Sequence, residues 1–128
     1  MEAWFKRRII AALRKLTFSW PPRNEVKKEA KVAPSTYVCN GCGVCVYDGK
    51  AKDSQSKVEA LEVNLGKKVI AGKVYVDHID PILSIDKGFT NWDDYINSMF
   101  CSADNLQVLC HICNKEKTQD ENKKRRKN

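Results

Sequence analysis

The sequence predicts a small α+β fold held together by a four-cysteine metal staple, and three observations carry that expectation. Apolar residues recur at helical spacing near the N-terminus, apolar and polar residues alternate over residues 69–76 as in a half-buried strand, and two Cys-x-x-Cys pairs, Cys39/Cys42 and Cys110/Cys113, stand far apart in the chain. At 128 residues, 42% of them hydrophobic, the chain has one domain's worth of sequence and a modest core that gains from a staple. The pairs have zinc spacing rather than the layout of an extracellular disulfide ladder, so a reducing, cytoplasmic setting is expected. A formal net charge of +7 favours an anionic partner, nucleic acid first, against the plainer view that the charge only confers solubility.

Phe5, Ile9, Leu13 and Leu16 follow one another at helical intervals and predict an amphipathic helix over residues 2–16, with Lys6, Arg7, Arg14 and Lys15 largely on other faces. Packing on the body of the protein is the first expectation for that stripe; a membrane surface or DNA are the alternatives. The apolar run after Arg8 is too short for a signal peptide and nothing of membrane-spanning length follows, so no membrane is expected. Ser19-Trp20-Pro21-Pro22 breaks the helix, because proline lacks the amide donor and restricts the residue before it. A second helix is expected over residues 23–32, its stripe of Arg23, Lys27, Lys28 and Lys31 interrupted by Glu25 and Glu29.

Val38-Cys39-Asn40-Gly41-Cys42-Gly43 reads as a zinc knuckle, in which glycine permits the tight turn that brings amides to the thiolates. Residues 48–58 are polar without an apolar period and read as a loop. Residues 58–65 alternate apolar and polar, with Ala60-Leu61 leaving the register open. Gly66-Lys67-Lys68 is a turn and 69–76 the next strand, which predicts a hairpin leading into Asp77-His78. Thr90 as N-cap with Asp93 three positions on opens a helix through residue 100, whose Trp92, Tyr95, Ile96, Met99 and Phe100 are core material. Residues 106–110 form a strand returning to the Asp77-His78 strand, and Asn114 opens a last helix that dissolves into the basic run 123–127.

Four soft thiolates are the number and type that a closed, structural tetrahedral Zn²⁺ prefers. Cys42/Cys45 has the same spacing as Cys39/Cys42; the latter is preferred because Gly43 follows the second thiolate, leaving Cys45 and Cys101 as free thiols. His78 suits a general base, since imidazole is the side chain that exchanges protons near neutrality, and Asp77 offers a hard oxygen for Mg²⁺ or Mn²⁺. Adjacent strand residues point opposite ways, so both serve one site only if the strand ends or bends there. Singly, Asp77-His78 is an exposed polar pair, Asn105 a turn residue and Asn114 an N-cap. The ordered set with zinc spacing around it points to phosphodiester cleavage.

Asp77-His78-Ile79-Asp80-Pro81, followed by Asn105-Leu106-Gln107-Val108-Leu109-Cys110-x-x-Cys113-Asn114-x-x-Lys117-Thr118, resembles the HNH endonuclease family with its ββα-metal (His-Me) finger core. Trp20-Pro21-Pro22-Arg23, Gly88-Phe89-Thr90-x-Trp92-Asp93-x-Tyr95-Ile96 and the closing run from Lys117-Thr118 to Asn122 resemble short HNH proteins of bacteriophages. The resemblance implies a basic helical arm (1–36), a zinc-stapled HNH nuclease domain (37–120) and a basic tail (121–128). It implies His78 as general base, Asn105 as the residue fixing the loop and orienting the imidazole, and Asp77 with Asn114 holding one catalytic Mg²⁺ or Mn²⁺. Asn114 stands where the commonest pattern has His, as in the family's HNN variant, which favours hard cations. His111, between the zinc cysteines, is expected to face solvent or to stand just outside the metal ligands rather than to replace one. Lys and Arg of the first two helices and the tail, including Arg23, Lys27, Arg125 and Arg126, would contact the DNA backbone. The expected activity is a divalent-metal-dependent DNA endonuclease that nicks or cleaves; the alternative is a catalytically silent zinc module that binds nucleic acid or a protein. By resemblance alone, a phage packaging protein such as terminase is an implied partner, in the host-cell cytoplasm.

Overall fold

The computed structural model describes residues 1–50 and 54–127. Its elements run α1 (Ala3–Thr17), α2 (Pro21–Ala30), β1 (Lys31–Ala33), β2 (Thr36–Val38), β3 (Cys45–Tyr47), α3 (Ser54–Leu65), β4 (Val69–Ala71), β5 (Val74–His78), α4 (Trp92–Met99), β6 (Leu106–Cys110) and α5 (His111–Lys127), an α+β architecture. One sheet has the order β1-β2-β3-β4, antiparallel except for the parallel pair β3-β4. The second sheet is the antiparallel pair β5-β6, with Asp77 opposite Gln107 and His78 opposite Leu106.

β6 is the centre of the core. Leu106, Val108, Leu109 and Cys110 are all buried, Val108 completely. On one side Leu106 and Val108 pack with Val26 of α2; on the other Leu109 and Cys110 pack with Cys39 and Val46, and Val74 touches both groups. Fully burying one such aliphatic side chain contributes about 1.5–3 kcal/mol, so β6 anchors the strand β5 that ends at His78. Residues 21–30 are thus built into the body, and no boundary falls at residue 36, where the β1-β2 hairpin is pairing.

Three expectations are corrected. Residues 58–65, read as a strand, lie in α3, and the region read as a loop to residue 58 is already helical from Ser54; residues 51–53 of that loop lie outside the described residues. Val58, Leu61 and Leu65 are the half-buried positions, a 3.6-residue period, while Val63 is 83% exposed. The helix therefore crosses over from β3 to a parallel β4, in place of the hairpin expected over residues 58–76. The single strand expected over 69–76 is divided at Gly72-Lys73, with β4 in one sheet and β5 in the other. The cap of α4 is Asn91, whose side chain accepts from Asp94 N at 2.8 Å, one residue later than Thr90 and Asp93. Asn is the better cap, and Thr90 Oγ1 donates to the Asp94 carboxylate instead.

Both ends also differ from expectation. The residues of α1 that face the body are Lys6, Ile9, Ile10, Leu13 and Thr17, so the covered stripe is rotated and Phe5 and Leu16 stay exposed. Lys6 Nζ sits 3.6 Å above the Phe89 ring, which fixes α1 against the segment leading into α4. The basic run 123–127 does not dissolve; α5 continues through Lys127, beginning at His111 with Asn114 inside it rather than at its cap. Among the described residues no helix is long and apolar enough to cross a membrane.

Candidate metal centre and catalytic cleft

Cys39, Cys42, Cys110 and Cys113 bring their four sulfurs within 4.8 Å of one another, Cys42 Sγ to Cys110 Sγ measuring 3.9 Å. Zinc–sulfur bonds of about 2.3 Å place tetrahedral sulfurs about 3.8 Å apart, so the four can hold a metal ion such as zinc. Local structure explains the convergence. Gly43 takes φ +80, which returns the chain so that Gly43 N reaches Cys39 O at 2.9 Å. A Cβ on Gly41 would stand 3.1 Å from Cys113 Sγ, a tight approach that glycine avoids. Asn40 Oδ1 accepts from Val108 N at 2.7 Å and Asn40 N donates to Val108 O, locking the knuckle to β6.

The amides of Cys42 and Cys110 donate to Cys39 Sγ, and that of Cys113 to Cys110 Sγ. Burial alone would raise the Cys39 thiol; the amides of Cys110, Cys42 and Gly41 and the Cys113 side chain outweigh it and bring it down to about 6. Burial and neighbouring sulfurs push Cys113 up, and burial pushes Cys110 up. One thiolate is therefore favoured at neutral pH beside two thiols that release protons when a metal arrives. Cys45 is buried in β3 outside the cluster, which resolves the spacing ambiguity, and Cys101 is half-buried. His111 is exposed, its ring 3.1 Å from where a Cβ on Gly72 would stand.

The strand that carries Asp77 and His78 ends at His78, and both residues line one cleft of about 200 Å³ with Arg14, Pro81, Ile82, Leu83, Tyr95, Lys117, Glu121 and Arg125. His78 Nε2 is 2.8 Å from Met99 O. A carbonyl can only accept, so Nε2 carries a proton, which in the neutral ring leaves the lone pair on Nδ1. Asn105 sits at the entry to β6; its Oδ1 accepts from Asp80 N at 2.8 Å, its Nδ2 donates to Asp80 O, and its own carbonyl accepts from Ile79 N. These bonds hold the two residues after His78 against the start of β6.

Asp77 is half-buried and already faces a cation. Its Oδ2 lies 3.0 Å from Lys117 Nζ and accepts from Gln107 Nε2 at 3.2 Å. Lys117 Nζ also reaches Glu121 Oε1 at 3.1 Å and His78 O at 2.9 Å. Burial would lower this ammonium, but the Asp77 and Glu121 carboxylates more than compensate and raise it. Asn114 does not line the cleft; it lies on α5 three residues before Lys117, on the same face of the helix. Lys117 and Glu121 fall within the quoted motifs but were given no role from sequence, although their i,i+4 spacing is a readable signal. Glu121, assigned above to a tail, belongs to the cleft.

The basic residues fall into two groups. Arg125 Nη2 donates to Leu83 O at 2.8 Å, tying α5 to the segment after Pro81, while its Nε is buried without a partner. Arg23 donates weakly to Val76 O and stacks on Phe18, and its burial lowers its proton affinity. Lys27 lies over the Tyr37 ring, half-buried; Arg126 is exposed. Arg23 and Arg125 thus have structural partners in addition to any contact with a ligand. No family model, curated protein or solved structure matches this chain.

Proposed function

We propose that the chain is a divalent-metal-dependent DNA endonuclease of HNH type, in its HNN variant, that nicks or cleaves phosphodiester bonds with His78 as general base. The observation that carries this reading is the hydrogen bond from His78 Nε2 to Met99 O, in the cleft that Asp77 shares. It fixes the tautomer and turns the imidazole into an acceptor at Nδ1, the state in which a base takes a proton from water. The water oxygen forms the new bond to phosphorus, its proton passes to Nδ1, and the bond to the 3′ oxygen breaks. Asn105 positions the base indirectly, by holding the Ile79-Asp80 backbone that follows it.

Asp77 and Asn114 are the residues that would hold Mg²⁺ or Mn²⁺. Asp77 fits in being a half-buried carboxylate that already faces a positive charge, and Asn114 in sharing the helix face that presents Lys117 to it. When bound, the ion supplies positive charge for the phosphate and the departing oxygen. Family membership rests on the sequence motifs, and so does any packaging-protein partner.

A second reading, the catalytically silent zinc module, draws on one specific observation: Lys117 Nζ already neutralises Asp77 at 3.0 Å. Supercoiled-plasmid nicking by zinc-loaded protein with Mg²⁺, Mn²⁺ or EDTA separates the two. The nuclease reading expects ion-dependent nicking that His78→Ala abolishes with DNA binding retained. No nicking with any ion by folded protein favours the silent module, and loss of binding in step with cutting means the base is misassigned.

A further inference from the structure

We infer that Arg14 of α1 is the phosphate-gripping residue of the His78 cleft, taking an oxygen of the nucleic-acid backbone beside the base. This inference rests on the nuclease reading and names a residue that the motifs do not. Three cations line the cleft, Arg14, Lys117 and Arg125, against two carboxylates, Asp77 and Glu121.

Lys117 cannot serve an incoming anion without giving something up. An ammonium has three donors, and its three partners are Asp77 Oδ2, Glu121 Oε1 and His78 O. Arg125 is anchored through Nη2 to Leu83 O and its Nε is buried, so this guanidinium is held by the fold rather than free to follow an incoming anion. Arg14 is different: among the described residues its guanidinium has no ion pair or hydrogen bond, and only its backbone carbonyl is engaged, by Thr17 Oγ1 at 2.6 Å. It is the cleft's uncommitted cation, in a site with one more positive than negative group. A guanidinium presents paired donors that match two phosphate oxygens.

The element that delivers Arg14 supports the same reading. α1 carries Lys6, Arg7, Arg8, Arg14 and Lys15 and no acidic residue from Ala3 to Thr17, so a polyanion lying along it meets only positive charge. Arg7, Arg14 and Lys15 share an exposed groove with Phe18 that adjoins the cleft through Arg14. The helix is fixed by Lys6 over Phe89 and by buried Thr17, so Arg14 is presented on a rigid element. The spacing of residues 2–16 gave this helix a packing role; its basic face is what reaches the site.

The test compares zinc-loaded wild type, Arg14→Gln, Arg14→Lys and, as a charge-matched control on exposed α3, Lys57→Gln. Binding of a short fluorescent duplex is read by anisotropy in EDTA at several salt concentrations, and plasmid nicking with Mg²⁺ or Mn²⁺ at saturating DNA. Arg14→Gln should lower kcat by roughly 100-fold. It should weaken binding far less and flatten the salt slope by about 1. Arg14→Lys should restore the slope but only part of the rate, and Lys57→Gln should match wild type. Wild-type turnover by Arg14→Gln at saturating DNA overturns the inference. If wild type itself fails to nick with either ion, the nuclease reading falls separately. The grip is then judged on binding alone: a slope unchanged in Arg14→Gln overturns it, and a flattened slope with Lys57→Gln unaffected sustains it.

Discussion

Stripping zinc from the four-cysteine site should unfold the strand pair that carries Asp77 and His78. The cluster joins the β2-β3 turn at Cys39 and Cys42 to the junction of β6 and α5 at Cys110 and Cys113, two segments otherwise distant in the chain. A structural zinc supplies on the order of 10 kcal/mol or more of folding free energy. Net stability for a chain of 128 residues, at roughly 0.05–0.15 kcal/mol per residue, is about 6–19 kcal/mol. A zinc held by these four cysteines would therefore account for most or all of the margin. Even a third of its contribution, about 3 kcal/mol, would lower Tm by roughly 10 °C at this size. Cys110 pairs with Val74 across the β5-β6 ladder, so amide exchange of Val74 to His78 should report the loss first. The assay is metal quantification followed by a circular dichroism melt and hydrogen exchange on zinc-loaded, zinc-stripped and Cys110→Ser protein. A verified zinc-free sample that melts cooperatively within a few degrees of the loaded form would refute the staple.

Three further outcomes follow from single contacts. Lys117→Met leaves Asp77 and Glu121 facing each other without their cation and should cost about 2 kcal/mol, between the surface and fully buried limits, as read by urea denaturation. Because the folded state raises Lys117 above its ordinary 10.5, its stabilising contribution is complete below that pH and is lost only as pH climbs through the higher folded value; wild type and Lys117→Met should converge there. Zinc uptake near neutral pH should release protons from Cys110 and Cys113, whose thiols burial pushes up, and little from Cys39, which the amides of Cys110, Cys42 and Gly41 hold near 6 against its burial. Titration with a pH indicator checks this, and an uptake that releases no protons would contradict it. Asn91→Ala should cost about 1 kcal/mol by removing the α4 cap, measured by the same denaturation, whereas Thr90→Ala, which leaves the Asp94 amide bonded, should cost less.

Where an element is buried on both faces, its apolar run alone was enough to read it. The strand 106–110 and its pairing with the Asp77-His78 strand were legible because Leu106, Val108, Leu109 and Cys110 form a short apolar block between turn residues. The zinc set was legible because thiolate spacing is dictated by the metal and not by the fold. The segment 58–65 was misread for a definite reason. Val58, Leu61, Val63 and Leu65 satisfy a period of two and a period of 3.6 almost equally, and only the exposure of Val63 decides between them. That exposure depends on what covers the segment, which is a tertiary fact.

The candidate site divides in the same way. Asp77, His78 and Asn105 could be named from sequence because the motifs carry them and each lies at or next to a strand end. What gives them their chemistry could not. The Met99 carbonyl that sets the His78 tautomer comes from the end of α4, and a backbone acceptor has no side-chain signature at all. Arg14 reaches the cleft from a helix more than sixty residues upstream, whose apolar stripe predicted packing and said nothing about where the opposite face would land. Lys117 is the informative case, since sequence placed it in a motif but not against Asp77. A carboxylate that meets a fixed ammonium at 3.0 Å and a carboxylate that accepts a divalent ion look identical in one dimension. If the nuclease reading holds, Asp77 must serve both cations in turn or share them, so Lys117→Met should lower the Mg²⁺ or Mn²⁺ concentration needed for half-maximal nicking. A higher requirement in that variant would mean that the ammonium holds Asp77 in place for the ion instead of competing with it.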